Sequence, residues 1–92
     1  MTVEHVQGRE AGQVMLFALS TCVWCKKTRS LLDELGVAYD CQYVDLLQGN
    51  ARTKAISAVR QSNPRSSFPT LIVNKRVIIG FQETEIREAL AA

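Results

Sequence analysis

The sequence predicts an α/β domain in which four strands and three helices follow one another as β-α-β-α-β-β-α. Short apolar runs at residues 13–19 and 70–73 are bounded by turn-forming residues, as buried strands are. Helical periodicity fills the segments after the first two strands. The last two strands are separated only by Asn74 and Lys75, so they must pair antiparallel. These observations predict a four-stranded mixed sheet with helices on both faces.

The first strand is predicted at residues 13–19, where nearly continuous apolar character is typical of a strand covered on both faces. Thr21 is placed to cap the helix that follows, and Gly36 is placed to end it. Between these two positions, five residues recur at helical spacing and form the expected buried face: Cys25, Thr28, Leu31, Leu32 and Leu35.

The second strand is predicted at residues 37–44, because two sets of side chains alternate there. One set is Val37, Tyr39, Cys41 and Tyr43, and the other is Ala38, Asp40, Gln42 and Val44. Because a helix joins it to the first strand, the two strands should be parallel with a right-handed crossover. A second helix is expected over residues 51–61, with Ile56 and Val59 facing inward.

The third and fourth strands come after a turn-rich loop. Pro69 opens the third strand at residues 70–73, and the fourth strand returns at residues 76–79. Gly80 breaks that strand, and the last helix is predicted over residues 82–90.

Length and composition leave room for one small domain and exclude several classes of function. We place the domain at residues 13–92, behind a polar N-terminal tail of residues 1–12 that lacks the apolar core of a signal peptide. The net charge of +2 is too small to indicate nucleic acid or an anionic membrane as a partner. No apolar stretch approaches the roughly 20 residues of a membrane span. Three cysteines, an odd number, do not suit a secreted disulfide framework, so we expect a cytoplasmic protein. We also expect the protein to be a monomer.

The most informative motif is the C-x-x-C at residues 22–25, which follows the first strand and begins the first helix. A helix N-terminus offers free backbone N–H groups and a partial positive charge, and both favour a thiolate. Cys22 has Lys26 and Lys27 one turn away, so we expect it to be ionised near neutral pH and to attack disulfides. Cys25 lies further into the helix and is expected to resolve the mixed disulfide.

The cysteines have alternative roles besides thiol–disulfide exchange. A structural disulfide would use the same two thiols of the motif. A zinc site needs four ligands, and the remaining donors, Cys41 and His5, are not paired at metal spacing, so we expect no metal. Cys41 lies in the second strand and is expected to be a buried, small apolar residue; a regulatory thiol is the alternative.

Two segments further along the chain can complete a binding groove. A cis bond between Phe68 and Pro69 would turn the Phe68 backbone toward Cys22, where its N–H and C=O can pair with an incoming peptide. The alternative is that Pro69 only begins an edge strand. Gly80 permits close approach, and the helix N-terminus after it can hold a carboxylate, unless the segment is an ordinary strand–turn–helix connection.

Together, the C-x-x-C motif, Ser67-Phe68-Pro69-Thr70 and Ile79-Gly80-Phe81 resemble glutaredoxins in their order and approximate spacing. The resemblance covers residues 13–90. It implies a thioredoxin-like fold with strand order 2-1-3-4, a cis Pro69, and reduction of protein disulfides or glutathione mixed disulfides. It also implies a glutathione groove, lined by Cys22, Trp24, Phe68, Pro69, Gly80, Phe81 and Gln82.

Some positions depart from the pattern of that family. Leu19 stands where glutaredoxins usually carry a Lys or Arg that meets a glutathione carboxylate, and Val23 stands where proline is common. The Gly80–Phe81 pair is more similar to the glutaredoxin-like redoxins that serve ribonucleotide reductase and are recharged by thioredoxin reductase. The resemblance therefore implies either glutathione or that flavoprotein as the reductant.

We accordingly predict a dithiol oxidoreductase with no tightly bound cofactor, with glutathione as co-substrate and with disulfide-containing or glutathionylated proteins as partners. Trp24 is expected to be an exposed substrate platform, and packing against the fold is the alternative. One rival function is a [2Fe–2S] protein in which two chains hold the cluster through Cys22 and glutathione; a resolving Cys25 counts against it. The other is a redox-inert adaptor, which the intact C-x-x-C motif disfavours.

Overall fold

The computed structural model describes residues 3–91, and its elements follow the predicted order with one added strand. In chain order they are β1 (Glu4–Val6), β2 (Val14–Ala18), α1 (Val23–Leu35), β3 (Tyr39–Tyr43), α2 (Gly49–Ser62), β4 (Thr70–Val73), β5 (Arg76–Ile79) and α3 (Glu83–Leu90). A single 3-10 turn, Val44–Leu46, follows β3. None of the helices within residues 3–91 is long and apolar enough to cross a bilayer.

The five strands form one mixed sheet in the order β1-β3-β2-β4-β5. β2 runs parallel to β3 and antiparallel to β4, and β5 returns antiparallel beside β4. The strand order 2-1-3-4 that the family resemblance implies is therefore confirmed as β3-β2-β4-β5. This order places the carboxyl end of β2 in the middle of the sheet, where the C-x-x-C motif begins.

The predicted number of four strands is wrong, because β1 adds an edge strand within the predicted N-terminal tail. Glu4–Val6 pairs antiparallel with β3. The segment is short and mostly exposed, so its pattern carries little strand signal. Tertiary contacts hold it instead: His5 Nδ1 lies 2.6 Å from Asp40 Oδ1, and Glu4 forms an ion pair with Arg29. The domain boundary at residue 13 stays a prediction.

The N-cap residue of α1 is Cys22, so the prediction that Thr21 caps this helix is wrong. Cys22 has extended backbone angles (φ −86°, ψ 120°), and its Sγ accepts a hydrogen bond from the Cys25 N–H at 3.1 Å. A capping side chain accepts from the second or third helical N–H, and Thr21 lies one residue too early for that reach. Gly36 ends the helix as predicted, with φ 69° in the left-handed region.

Alternate residues of β2 face two separate apolar clusters, because successive strand side chains point to opposite faces. One cluster joins the sheet to α1 and α3 and includes Leu16, Ala18, Leu31, Leu32, Ile86 and Leu90. The other joins the opposite face to α2 and includes Phe17, Val44, Ala55 and Val59. Helices on both faces therefore hold the central strand in place beneath the C-x-x-C motif.

One polar cluster, which the sequence analysis did not identify, connects α1 to the edge of the sheet. Arg29 donates from Nη1 to the Tyr43 hydroxyl at 2.8 Å and from Nε to the Tyr39 hydroxyl at 3.0 Å. Its third partner is Glu4 of β1. Tyr39 donates in turn to Asp33 Oδ1 at 2.8 Å, and burial raises the pKa of this tyrosine. One guanidinium thus fixes α1, β1 and β3 relative to one another.

Candidate active site

Cys22 lies at the junction between β2 and α1, half-buried at the N-cap position directly before the helix. Its own N–H donates to the Leu19 carbonyl at 3.2 Å, and its carbonyl accepts from the Lys26 N–H at 3.1 Å. The Cys25 N–H points at its sulfur. A sulfur anion at this position is stabilised by a backbone donor and by the positive end of the helix dipole.

Cys25 is the second thiol of the motif, and it is only 2 % exposed. Burial, together with a side-chain hydrogen bond to Cys22, raises its pKa to about 12. A thiol with that pKa is almost entirely protonated at neutral pH and is a poor nucleophile. The two cysteines therefore differ in burial: Cys22 is half-buried, whereas Cys25 is buried and has a raised pKa.

A carboxylate braces the loop that carries Cys22. The Ser20 N–H donates to Asp45 Oδ1 at 2.9 Å, and its hydroxyl donates to Asp45 Oδ2 at 2.5 Å. These hydrogen bonds lower the pKa of Asp45, so the carboxylate stays ionised. The sequence analysis treated Asp45 only as part of a connection, because nothing local in the sequence joins it to a serine 25 residues earlier.

The two downstream segments expected to complete the groove lie in direct contact with each other. The Phe68–Pro69 bond is cis, as expected, and Pro69 is buried. The Gly80 N–H donates to the Pro69 carbonyl at 2.9 Å. Gly80 has φ 80°, a left-handed conformation that glycine adopts without a steric penalty.

A buried amide orders the loop before Pro69. Asn63 is fully buried, and its Nδ2 donates to the Ser67 carbonyl at 3.1 Å and to Thr70 Oγ1 at 3.0 Å. Thr70 Oγ1 donates back to the Ser67 carbonyl at 2.7 Å. This role of Asn63 was not predicted from the sequence, although an asparagine directly before Pro64 at a helix end is a recognisable turn signal.

An aromatic pair forms one side of the site. Trp24 is 55 % exposed, and its ring stacks on that of Phe81 with centroids 6.1 Å apart. Lys27 Nζ lies 4.9 Å from the centre of the indole ring, a cation–π contact. Trp24 is therefore exposed as expected and is positioned by Phe81, which the sequence analysis also placed in the groove.

Gln82 and Cys41 take no part in the contacts between Trp24, Phe81 and Lys27. The exposed Gln82 side chain donates to the Ile79 carbonyl at 3.5 Å and caps no helical N–H. Cys41 is buried in β3, and burial raises its pKa, which agrees with the expected small apolar role. Within residues 3–91 no group of three or more His, Cys, Asp or Glu side chains is arranged to hold a metal ion.

Comparison with known proteins gives one family for this arrangement. The family model for glutaredoxin matches residues 14–78. The crystal structure of a glutaredoxin from Methanosarcina mazei Go1 is 49 % identical, with a TM-score of 0.91 over 100 % of this chain and 90 % of that one. The structure of Methanosarcina acetivorans methanoredoxin is 48 % identical, with a TM-score of 0.88 over 92 % and 90 %. A glutaredoxin-like 8.6 kDa protein from the rubredoxin operon of Clostridium pasteurianum is 24 % identical over 79 % of this chain and 91 % of its own length.

Proposed function

This chain belongs to the glutaredoxin family, and from that premise we propose that it reduces disulfides by thiol exchange at Cys22 and Cys25. The Cys22 thiolate attacks one sulfur of the substrate disulfide, the S–S bond breaks, and the other sulfur leaves as a thiolate that takes up a proton. The observation that carries this proposal is the position of Cys22, half-buried at a helix N-terminus with a backbone donor on its sulfur.

Cys25 completes the cycle in the proposed second step. It loses its proton and attacks Cys22 Sγ, which forms the intramolecular disulfide and releases the second substrate thiol. Its raised pKa, about 12, supports this division of labour, because a protonated Cys25 does not compete for the incoming disulfide. The two electrons that the substrate gains come from the two thiols of the protein.

The reductant that restores the dithiol is proposed to be either glutathione or thioredoxin reductase. Two features bear on glutathione. Leu19 offers no cation to a glutathione carboxylate. The first turn of α3 already holds Glu83 and Glu85, which oppose a further carboxylate at that helix end. Both features favour the flavoprotein, whereas membership of the glutaredoxin family favours the tripeptide.

Trp24 fluorescence distinguishes the two sources, because its ring lies in the motif between the two cysteines. We expect oxidised protein to regain the signal of the reduced form with reduced glutathione in one sample, or with NADPH and thioredoxin reductase in another. Cys25→Ser is the matched control, since it cannot form the intramolecular disulfide. If dithiothreitol restores the signal and neither of the other reductants does, both proposed electron sources are wrong.

A further inference from the structure

An apolar cavity of about 180 Å³ lies between α2 and the loops that carry the active site. Its wall is mostly aliphatic and aromatic, formed by Leu19, Val44, Ile56, Val59 and Phe68. For comparison, an apolar cavity of about 150 Å³ is large enough to bind benzene. The cavity can therefore hold one medium-sized apolar side chain.

The cavity adjoins the reacting sulfur through two of its wall residues. Leu19 shares a turn with Cys22, because its carbonyl accepts the Cys22 N–H at 3.2 Å. Phe68 immediately precedes cis Pro69. A polypeptide whose disulfide reaches Cys22 therefore comes close to Leu19 in the cavity wall.

One polar group at the cavity lacks a hydrogen-bond partner. Ser66 Oγ is the buried side-chain oxygen that has no hydrogen-bond partner within residues 3–91, and it lines the cavity wall. Arg52 and Asp45 also line the wall, and the positive charge of Arg52 contributes to the lowered pKa of Asp45. An unpaired hydroxyl beside an apolar space suits a peptide segment, because the peptide backbone can supply the missing hydrogen-bond partner.

We propose that this cavity is a specificity pocket that takes an apolar side chain adjacent to the disulfide cysteine of a polypeptide substrate. The proposal rests on the proposed function, since the substrate must first react at Cys22. Glutathione carries glycine on the carboxyl side of its cysteine and a polar γ-glutamyl group on the other side, so it leaves the cavity empty. The pocket therefore favours protein disulfides over glutathione disulfide.

Single-turnover reduction of three symmetric peptide disulfides tests the pocket without any external reductant. Each peptide has one cysteine. The first has leucine directly before it, the second has leucine directly after it, and the third has glycine on both sides. On one side, we expect the leucine peptide to react about tenfold faster, because one buried aliphatic side chain discriminates to that extent. Filling the cavity with Ile56→Phe should reduce the ratio of the leucine rate to the glycine rate to nearly one.

Ala58→Leu is the matched control, since it enlarges a residue that lines a different cavity beside the same helix. This variant should keep the tenfold ratio. Should Ile56→Phe fail to fold, Leu19→Ala shortens the wall and should also lower the ratio. Equal rates for the leucine and glycine peptides with wild-type protein, or an unchanged ratio in a folded cavity variant, overturn the pocket alone. If wild-type protein reduces neither peptide, the proposed function and the pocket both fail.

Discussion

Replacing Cys22 with serine is expected to lower disulfide reduction by more than about a thousandfold, to the level of the uncatalysed reaction. A serine hydroxyl is not ionised at neutral pH and cannot form a mixed disulfide. The remaining thiols cannot substitute for it, because Cys25 and Cys41 are both buried and burial raises the pKa of each. Reduction of insulin with dithiothreitol as electron donor measures the loss.

Two other cysteine variants serve as controls for that result. Cys41→Ser should keep the wild-type rate, since Cys41 lies in β3 away from the motif. Cys25→Ser should still attack, but its mixed disulfide with the substrate should persist and be visible as added mass on the intact protein. Turnover retained by Cys22→Ser would show that a different group attacks.

Arg29→Ala is expected to lower the free energy of unfolding by about 2–3 kcal/mol, because it removes two partly buried hydrogen bonds and takes the guanidinium donor away from the Tyr43 hydroxyl. The Arg29 side chain is 21 % exposed, so solvent only partly replaces these contacts. In a domain of this size the midpoint of thermal unfolding should fall by roughly 10–20 °C. Thermal unfolding followed by circular dichroism measures the change.

The matched control is Arg87→Ala, which removes two ion pairs at the surface. Arg87 lies 2.9 Å from Glu34 and 2.9 Å from Glu83, and exposed pairs of this kind contribute little because solvent screens them. Its unfolding temperature should change much less than that of Arg29→Ala. Equal shifts for the two variants would mean that the polar cluster around Arg29 has no special structural role.

Local pattern was sufficient to predict the elements that bury apolar side chains with a clear period. Each of these elements is indicated by a pattern a few residues long. The apolar run predicts β2, the helical spacing of Leu31 and Leu32 predicts α1, and the two-residue turn predicts the pairing of β4 with β5. The position of the C-x-x-C motif at the start of α1 and the cis bond before Pro69 were likewise predicted, since each follows from a short sequence motif. Of the residues around these two motifs, Gly80 and Phe81 were predicted, whereas Asp45 and Asn63 were not.

Features that depend on distant residues were not predicted. β1 exists because Glu4 reaches Arg29, 25 residues later, and three exposed residues carry no period of their own. Asp45 braces Ser20 over the same separation. The cap of α1 was placed one residue early, because a cysteine is not among the side chains that usually cap a helix. Such contacts are set by the packing of the whole sheet and leave little trace in local sequence.

Brief alkylation of the reduced wild-type protein tests the inequality of the two motif thiols most directly. With limiting iodoacetamide at pH 8 and peptide mass spectrometry, we expect the label on Cys22 alone. Cys25, with a pKa of about 12, holds on the order of one thiolate in ten thousand at that pH. Labelling of Cys25 as fast as Cys22, in protein shown to be folded, would contradict the assignment of attacking and resolving sulfur.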